Sequence, residues 1–253
     1  MSVASDTKAS AGEVQTVTAA RRLAHTGTVF IGVGRPSTAA LLARMIHNPD
    51  LVLVYESGTI GAKPLHIPLS IGDGELAETA DAVVSVPEMF NYWIGPGRID
   101  VAFLGAAQVD RHANLNSTVI GDYHHPKARL PGAGGAPEIA ASCGEVMVIA
   151  PHTPRTFVRR LDFCTTIGHG DGPGSRERLG FRGAGPTAVI TDLGVLEPDP
   201  LTKELVLTEL HDGVEVAQAR EKTGWDLKVA EQVRRTEPPT AEELAALREL
   251  TSR

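Results

Sequence analysis

Residues 28–58 read TVFIGVGRPSTAALLARMIHNPDLVLVYESG, and their order decides the fold. Residues 28–33 are a continuous apolar run, as expected of a strand buried on both faces. Gly34-Arg35-Pro36-Ser37 follows as a turn, with Ser37 placed to cap a helix over residues 38–47. Leu41, Leu42, Met45 and Ile46 share one face of that helix, and Pro49-Asp50 breaks it. Residues 51–55 form a second apolar strand that runs directly into Glu56-Ser57-Gly58. Upstream, residues 13–25 set Val14, Val17, Ala20, Leu23 and Ala24 on one helical stripe that Gly27 ends. Helix, strand, helix, strand at this spacing predicts a parallel sheet with helices on both faces.

The alternation continues outward. Strands are predicted at 82–86, 99–104, 145–150 and 187–192, with helices near 87–94 and over 137–142. Residues 105–136 are polar and glycine-rich, interrupted only by the apolar 117–120. Residues 205–210 read as one arm of a C-terminal hairpin opened by a turn at 198–202, and helices at about 214–223 and 240–250 close the chain. The expected architecture is α/β: an open, mostly parallel sheet flanked by helices, with a C-terminal hairpin and helices. Residues 1–12 read as a flexible leader and 13–253 as one domain.

Composition narrows the function. The 253 residues are 42% hydrophobic and 22% charged, as in globular chains and unlike disordered, collagen-like or coiled-coil ones. A net charge of −7 and 4% aromatic residues leave neither the basic footprint nor the stacking platforms of a nucleic-acid binder. Two cysteines, Cys143 and Cys164, are too few for a disulfide framework and lack zinc-site spacing. Residues 1–12 contain no apolar core of a signal peptide, and no apolar run approaches the length of a membrane span. A cytoplasmic protein is expected.

Five stretches carry candidate chemistry. Glu56 ends an apolar strand, so its carboxylate belongs at the carboxyl edge of the sheet, where open α/β sheets bind ligands. A capping or salt-bridged glutamate would look the same. Gly132-Ala133-Gly134-Gly135-Ala136 opens a predicted helix, so bare N–H groups there can approach an anion; a plain turn has the same composition. Gln108, Asp110, Asn114 and Asn116 follow a buried strand and suit either substrate orientation or Asx turns. Asp122, His124 and His125 invite a metal reading, but neighbouring histidines diverge and no metal site is expected. Gly168 to Arg178 reads as a mobile loop with basic residues. Arg35 is placed either to pair with a substrate carboxylate or to lie idle on the surface.

Taken in order, Val54-Tyr55-Glu56-Ser57-Gly58, Gly105–Asp110, Asn114–Lys127, Gly132–Ala136, Asp171–Gly180 and Val189–Asp192 resemble class I CoA-transferases, in the β subunit of the glutaconate type. The resemblance spans residues 13–250, and the Asn114–Lys127 run is its most specific part. It implies a fold of the NagB–RpiA-like kind and a covalent glutamyl-CoA thioester on Glu56. The 3-oxoacid branch of the family carries Ser-Glu-Asn-Gly where this chain has Glu-Ser-Gly. The resemblance further implies oxyanion binding by the backbone of Gly134 and Gly135, with Gln108 and Asn116 lining the CoA cleft. A distinct α subunit is the implied partner, in an α2β2 or larger assembly, with a CoA thioester as substrate and no permanently bound cofactor or metal. Within the same superfamily the alternative is an acyl-CoA hydrolase or decarboxylase. A non-catalytic ligand-binding subunit and a sugar-phosphate isomerase are rivals from other classes; the latter lacks its phosphate-loop lysine here. Dicarboxylic, 3-oxo and steroid-derived acids all remain open as acceptors.

Overall fold

A computed structural model describes residues 8–252. The chain begins α1 (Ala11–Arg21), β1 (Thr28–Ile31), α2 (Arg35–Ile46), β2 (Val52–Tyr55), β3 (Thr59–Ile60), α3 (Gly74–Glu78) and β4 (Ala82–Val83). A short α4 (Val86–Glu88) then passes into a π-helical turn, Met89–Ile94. Next come β5 (Val101–Leu104), β6 (Gln108–Val109), β7 (Leu115–Asn116), β8 (Val119–Gly121), β9 (Pro126–Arg129), α5 (Ala136–Ser142) and β10 (Glu145–Ile149). The chain closes with α6 (Ser175–Arg178), β11 (Pro186–Ile190), β12 (Gly194–Pro198), β13 (Leu205–Leu210), α7 (Val216–Glu221), β14 (Lys228–Arg235) and α8 (Ala241–Thr251).

Ten strands form one sheet in the order β14-β13-β12-β11-β10-β5-β1-β2-β3-β4. Its centre, β11-β10-β5-β1-β2, is parallel throughout. The expected open, mostly parallel sheet is therefore what forms, and its apolar strands are buried because both faces are covered. Odd-numbered residues of β1 and β2 (Val29, Ile31, Leu53, Tyr55) meet Val17, Ala39, Leu42 and Leu247 from α1, α2 and α8. Even-numbered ones (Phe30, Val54) face Met89, Ile94 and Ile139 from the π-turn and α5. Burying each such side chain is worth about 1.5–3 kcal/mol, so slipping either strand by one residue would exchange the two cores. That register puts Glu56 on the π-turn and α5 face.

Several boundaries differ from expectation. Residues 1–7 of the expected leader lie outside the described residues. From Ser10 the chain is already a helix cap: Glu13 N–H donates to Ser10 Oγ and Ser10 N–H donates to the Glu13 carboxylate. Ser37 caps nothing. The helix starts at Arg35, and Ser37, fully buried, lies 3.1 Å from the Tyr55 hydroxyl. The strand expected at 82–86 shrinks to Ala82–Val83, an exposed edge pair that runs antiparallel to β3. The hairpin forms from β12 and β13, antiparallel, with Asp199 accepting the Leu201 and Thr202 N–H groups in its turn. Beyond it lies β14, an eight-residue edge strand parallel to β13 that the pattern did not predict.

Candidate active site

Glu56 follows the last residue of β2, Tyr55, which is fully buried and fixes where the turn begins. Gly58 N–H donates to Tyr55 O at 3.0 Å, so the chain doubles back at once into β3. Gly58 has φ +103°, and a Cβ there would sit 1.9 Å from Val84 O. Only glycine fits, so Glu56 is held at the apex of a turn with little freedom. Its side chain is half-buried. Among the described residues the Glu56 carboxylate takes part in no hydrogen bond or ion pair, and the neighbouring Ser57 Oγ is buried without a partner.

The glycine loop arrives from the other side. Gly132 N–H donates to Ser117 O at 2.9 Å and Ser117 Oγ donates to Gly132 O at 2.8 Å, which anchors the start of the loop. Gly132 (φ +102°) and Gly134 (φ +48°) turn it, and Gly135 becomes the N-cap of α5 with no side-chain cap. Among the described residues no protein group accepts from the N–H groups of Gly134 or Gly135. Two uncommitted donors at the start of a helix suit a negatively charged oxygen. A Cβ on Gly135 would lie 3.0 Å from Glu56 Oε1 and 2.4 Å from Phe90 Cζ, and one on Gly134 would lie 3.9 Å from Glu56 Oε1. The carboxylate, the glycine loop and an aromatic ring thus crowd one point.

An open cleft of about 460 Å³ surrounds that point, lined by Glu56, Phe90, Asn91, Gly134, Gly135 and Glu138. The structure therefore brings together Glu56, Gly134 and Gly135. Gln108 and Asn116 do not line this cleft. Gln108 Nε2 donates to Asp162 at 3.0 Å, its Oε1 accepts from Asn116 Nδ2 and Asp162 N, and Asn116 Oδ1 accepts from Thr118 N. Both amides are buried and hydrogen-bonded on oxygen and nitrogen alike, fixing the turn from which Ser117 holds the glycine loop. Phe90, Asn91 and Glu138 went unpredicted. Glu138 had a local signal, three residues beyond Gly135, whereas Phe90 and Asn91 come from the π-turn and had none.

The remaining candidates resolve into structure. Asp110 accepts from His112 N and Asn114 N, and Asn114 Oδ1 accepts from Gly168 N and Gly170 N, the Asx-turn alternative. Asp122 accepts from His124 N and His125 N, and among the described residues no group of three His, Cys, Asp or Glu side chains is placed to hold a metal ion. In the glycine-rich loop at 168–178, Arg176 is buried and donates to Gly168 O, Ala140 O and Arg182 O, so this basic residue is a brace, against the mobile-loop expectation. Arg35 donates to the buried Gln15 Oε1 and lines a separate cavity with Asp192. No described helix is long and apolar enough to cross a membrane.

The parallel sheet thus carries a glutamate and backbone donors without an acceptor at its carboxyl edge, and comparison with known proteins gives the chain a family. The coenzyme A transferase family matches residues 13–222, and the chain belongs to that family. Within it, the chain is similar to the β subunits. It is 58% identical over 96% of its length to the β subunit of 3-oxoadipate CoA-transferase from Pseudomonas knackmussii, covering 94% of that protein. It is 36% identical to the β subunit of glutaconate CoA-transferase from Acidaminococcus fermentans, over 90% of this chain and 88% of that one. The crystal structure of the Acidaminococcus enzyme superposes with a TM-score of 0.90 at 34% identity, covering 95% and 94% of the two chains. The decarboxylase AibA/AibB superposes at 0.81 with 26% identity, over 95% and 94%. CoA-transferases act on CoA thioesters, and this chain is one of the two polypeptides of such an enzyme.

Proposed function

We propose that this β subunit carries CoA from an acyl-CoA to a carboxylic acid through a covalent glutamyl-CoA thioester on Glu56. The observation that supports this reading is a hydrogen-bond-free carboxylate packed beside Gly134 and Gly135, whose backbone N–H groups are themselves without an acceptor among the described residues. Glu56 attacks the thioester carbonyl, forming a mixed anhydride and releasing CoA thiolate. The thiolate attacks the Glu56 carbonyl carbon, giving glutamyl-CoA and the free acid. An acceptor carboxylate then runs the same two steps backwards. Holding the carboxylate at a rigid turn supplies proximity that solution lacks. Each addition creates a tetrahedral oxyanion, which the Gly134 and Gly135 N–H groups stabilise by about 3 kcal/mol per donor. Carboxylate, thiol and backbone N–H suffice for every step, so no resident cofactor is called for.

Gln108 and Asn116 act in this scheme at one remove, by holding the turn that anchors the glycine loop. The acceptor we carry forward is a dicarboxylic acid with a 3-oxo group, supported by the 58% identity to the 3-oxoadipate CoA-transferase chain. The partner is an α-type subunit, in an α2β2 or larger assembly, in the cytoplasm, and residues 13–253 act as one CoA-transferase domain. A hydrolase or decarboxylase is less well supported, since the AibA/AibB decarboxylase is the more distant structure. A ligand-binding role alone would leave the unpaired Glu56 without purpose. The test is turnover with the partner subunit present: Glu56→Gln is expected to lose transfer by a factor of about 10³ or more. Undiminished transfer in Glu56→Ala would overturn the assignment.

A further inference from the structure

A thioester on Glu56 faces a competitor of every acceptor acid, which is water. Attack of water on the glutamyl-CoA carbonyl carbon would break the C–S bond, return the carboxylate and release CoA thiol, turning the same site into a hydrolase. The cleft is open to solvent, so something local has to keep water from that carbon. The structure offers one apolar group beside it. The Phe90 ring lies so close over Gly135 that an added Cβ would meet Cζ at 2.4 Å and Cε1 at 2.6 Å, while the same point is 3.0 Å from Glu56 Oε1. Of the side chains lining the cleft, Glu56, Asn91 and Glu138 are polar and Phe90 alone is hydrophobic.

The ring's position is built, not incidental. Phe90 is the second residue of the π-helical turn, and its carbonyl accepts from Gly95 N–H at 2.8 Å, five residues on. The wider turn lets Met89 and Ile94, five apart, both bury completely in the core below α5. Between those two anchors Phe90 and Asn91 are presented to the cleft. Such turns cost hydrogen-bond geometry and recur at functional sites. Gly135 is the complementary feature, since its bare Cα makes room for the ring while its N–H stays free.

We propose that Phe90 sets the partition between transfer and hydrolysis, its ring occupying the approach by which water would reach the Glu56 carbonyl carbon. This rests on the glutamyl-CoA reading and adds a water-excluding residue to it. The experiment uses the chain assembled with its partner subunit and an acyl-CoA. It measures CoA transferred to acceptor against CoA released as free thiol, together with the adduct on the Glu56 peptide. In Phe90→Ala the hydrolysis-to-transfer ratio is expected to rise about tenfold or more, a change of roughly 1.4 kcal/mol in relative barrier, with the adduct still forming. Phe90→Leu keeps an apolar contact with Gly135 and is expected to fall between that variant and the parent. An unchanged ratio in either folded variant overturns the proposal, as does failure of both to fold, which would make the ring a core element. Absence of the adduct in the unaltered enzyme would instead overturn the glutamyl-CoA reading itself.

Discussion

Two glutamates of this chain show opposite treatments of the same functional group. Glu243, on the α1, α2 and α8 face, is 2% exposed and each of its oxygens meets Arg21 at 2.7 Å. Thr240 N–H donates to it as well, closing the capping box of α8. Burial alone would raise its pKa, but the Arg21 hydrogen bonds and the Thr240 backbone outweigh that and hold it down at about 2. Glu56, on the other face, is half-buried and accepts nothing among the described residues. A carboxylate whose lone pairs are committed is a structural tie, whereas one left uncommitted at a rigid turn is available for the nucleophilic role we propose for Glu56. The same contrast separates the engaged amides of Gln108 and Asn116 from the free N–H groups of Gly134 and Gly135.

Exchanging the two sites' demands tests that contrast. The largest effect belongs to Glu56→Gln, already given as loss of transfer, and its thermal midpoint should stay near the parent's. Next is Gly135→Ala. Its backbone φ of −88° suits any residue, so the fold should persist. The added methyl must displace the Phe90 ring and the Glu56 carboxylate, and kcat is expected to fall about 10²-fold, as for misplaced catalytic groups. Parental kcat in Gly135→Ala would mean that the crowding at this point has no bearing on chemistry. Glu243→Gln should do the reverse of Glu56→Gln. It is expected to cost about 1–3 kcal/mol in denaturant unfolding, because Arg21 loses its charge partner, while kcat in the assembled enzyme stays put.

The last effect, on stability and not on chemistry, is its pH dependence. Glu13 is also held at about 2, chiefly by its hydrogen bond to Arg248. Both carboxyls lie below the unfolded value of about 4.3, so their contribution is complete above that value and lost as pH falls towards 2. Burial pushes His152 down to about 4, and burial lowers His169 and His211 too. The unfolded chain takes up those protons near pH 6.5, so the loss of stability should begin there and deepen below pH 5. Thermal midpoints measured from pH 8 to 3 should show this, with the lower part of the fall reduced in Glu243→Gln. A midpoint unchanged from pH 6.5 to 4 would contradict the buried neutral histidines.

What the sequence disclosed followed from burial. Residues 28–31 and 51–55 are apolar without alternation because both faces of their strands are covered, which places Glu56 at a strand end, whereas Val33 of the expected first strand lies beyond its end and is exposed. The glycine loop was less plain, since a turn before a helix has the same composition and only its place beside Glu56 separates the two readings. Strand β14 escaped because Lys228–Arg235 is a polar edge strand whose partners lie on one side only. The short pair β6–β7 escaped because Gln108 and Asn116 are buried by hydrogen bonding, and β8–β9 because Lys127, Ala128 and Arg129 are exposed, which in both cases leaves no hydrophobic period to read. For the same reason two hydrogen-bonded amides looked like free ones. Phe90 reaches the cleft through a π-turn, whose five-residue spacing of Met89 and Ile94 fits neither the helical nor the strand period.

Whether Glu56 carries the CoA is read from denaturing mass spectrometry of the chain after incubation with its partner subunit and acyl-CoA, without acceptor. A CoA-sized adduct is expected on the peptide bearing Glu56, removed by borohydride and missing in Glu56→Gln. Brisk transfer with no adduct on that peptide, or an adduct that survives the substitution, would contradict that role for Glu56.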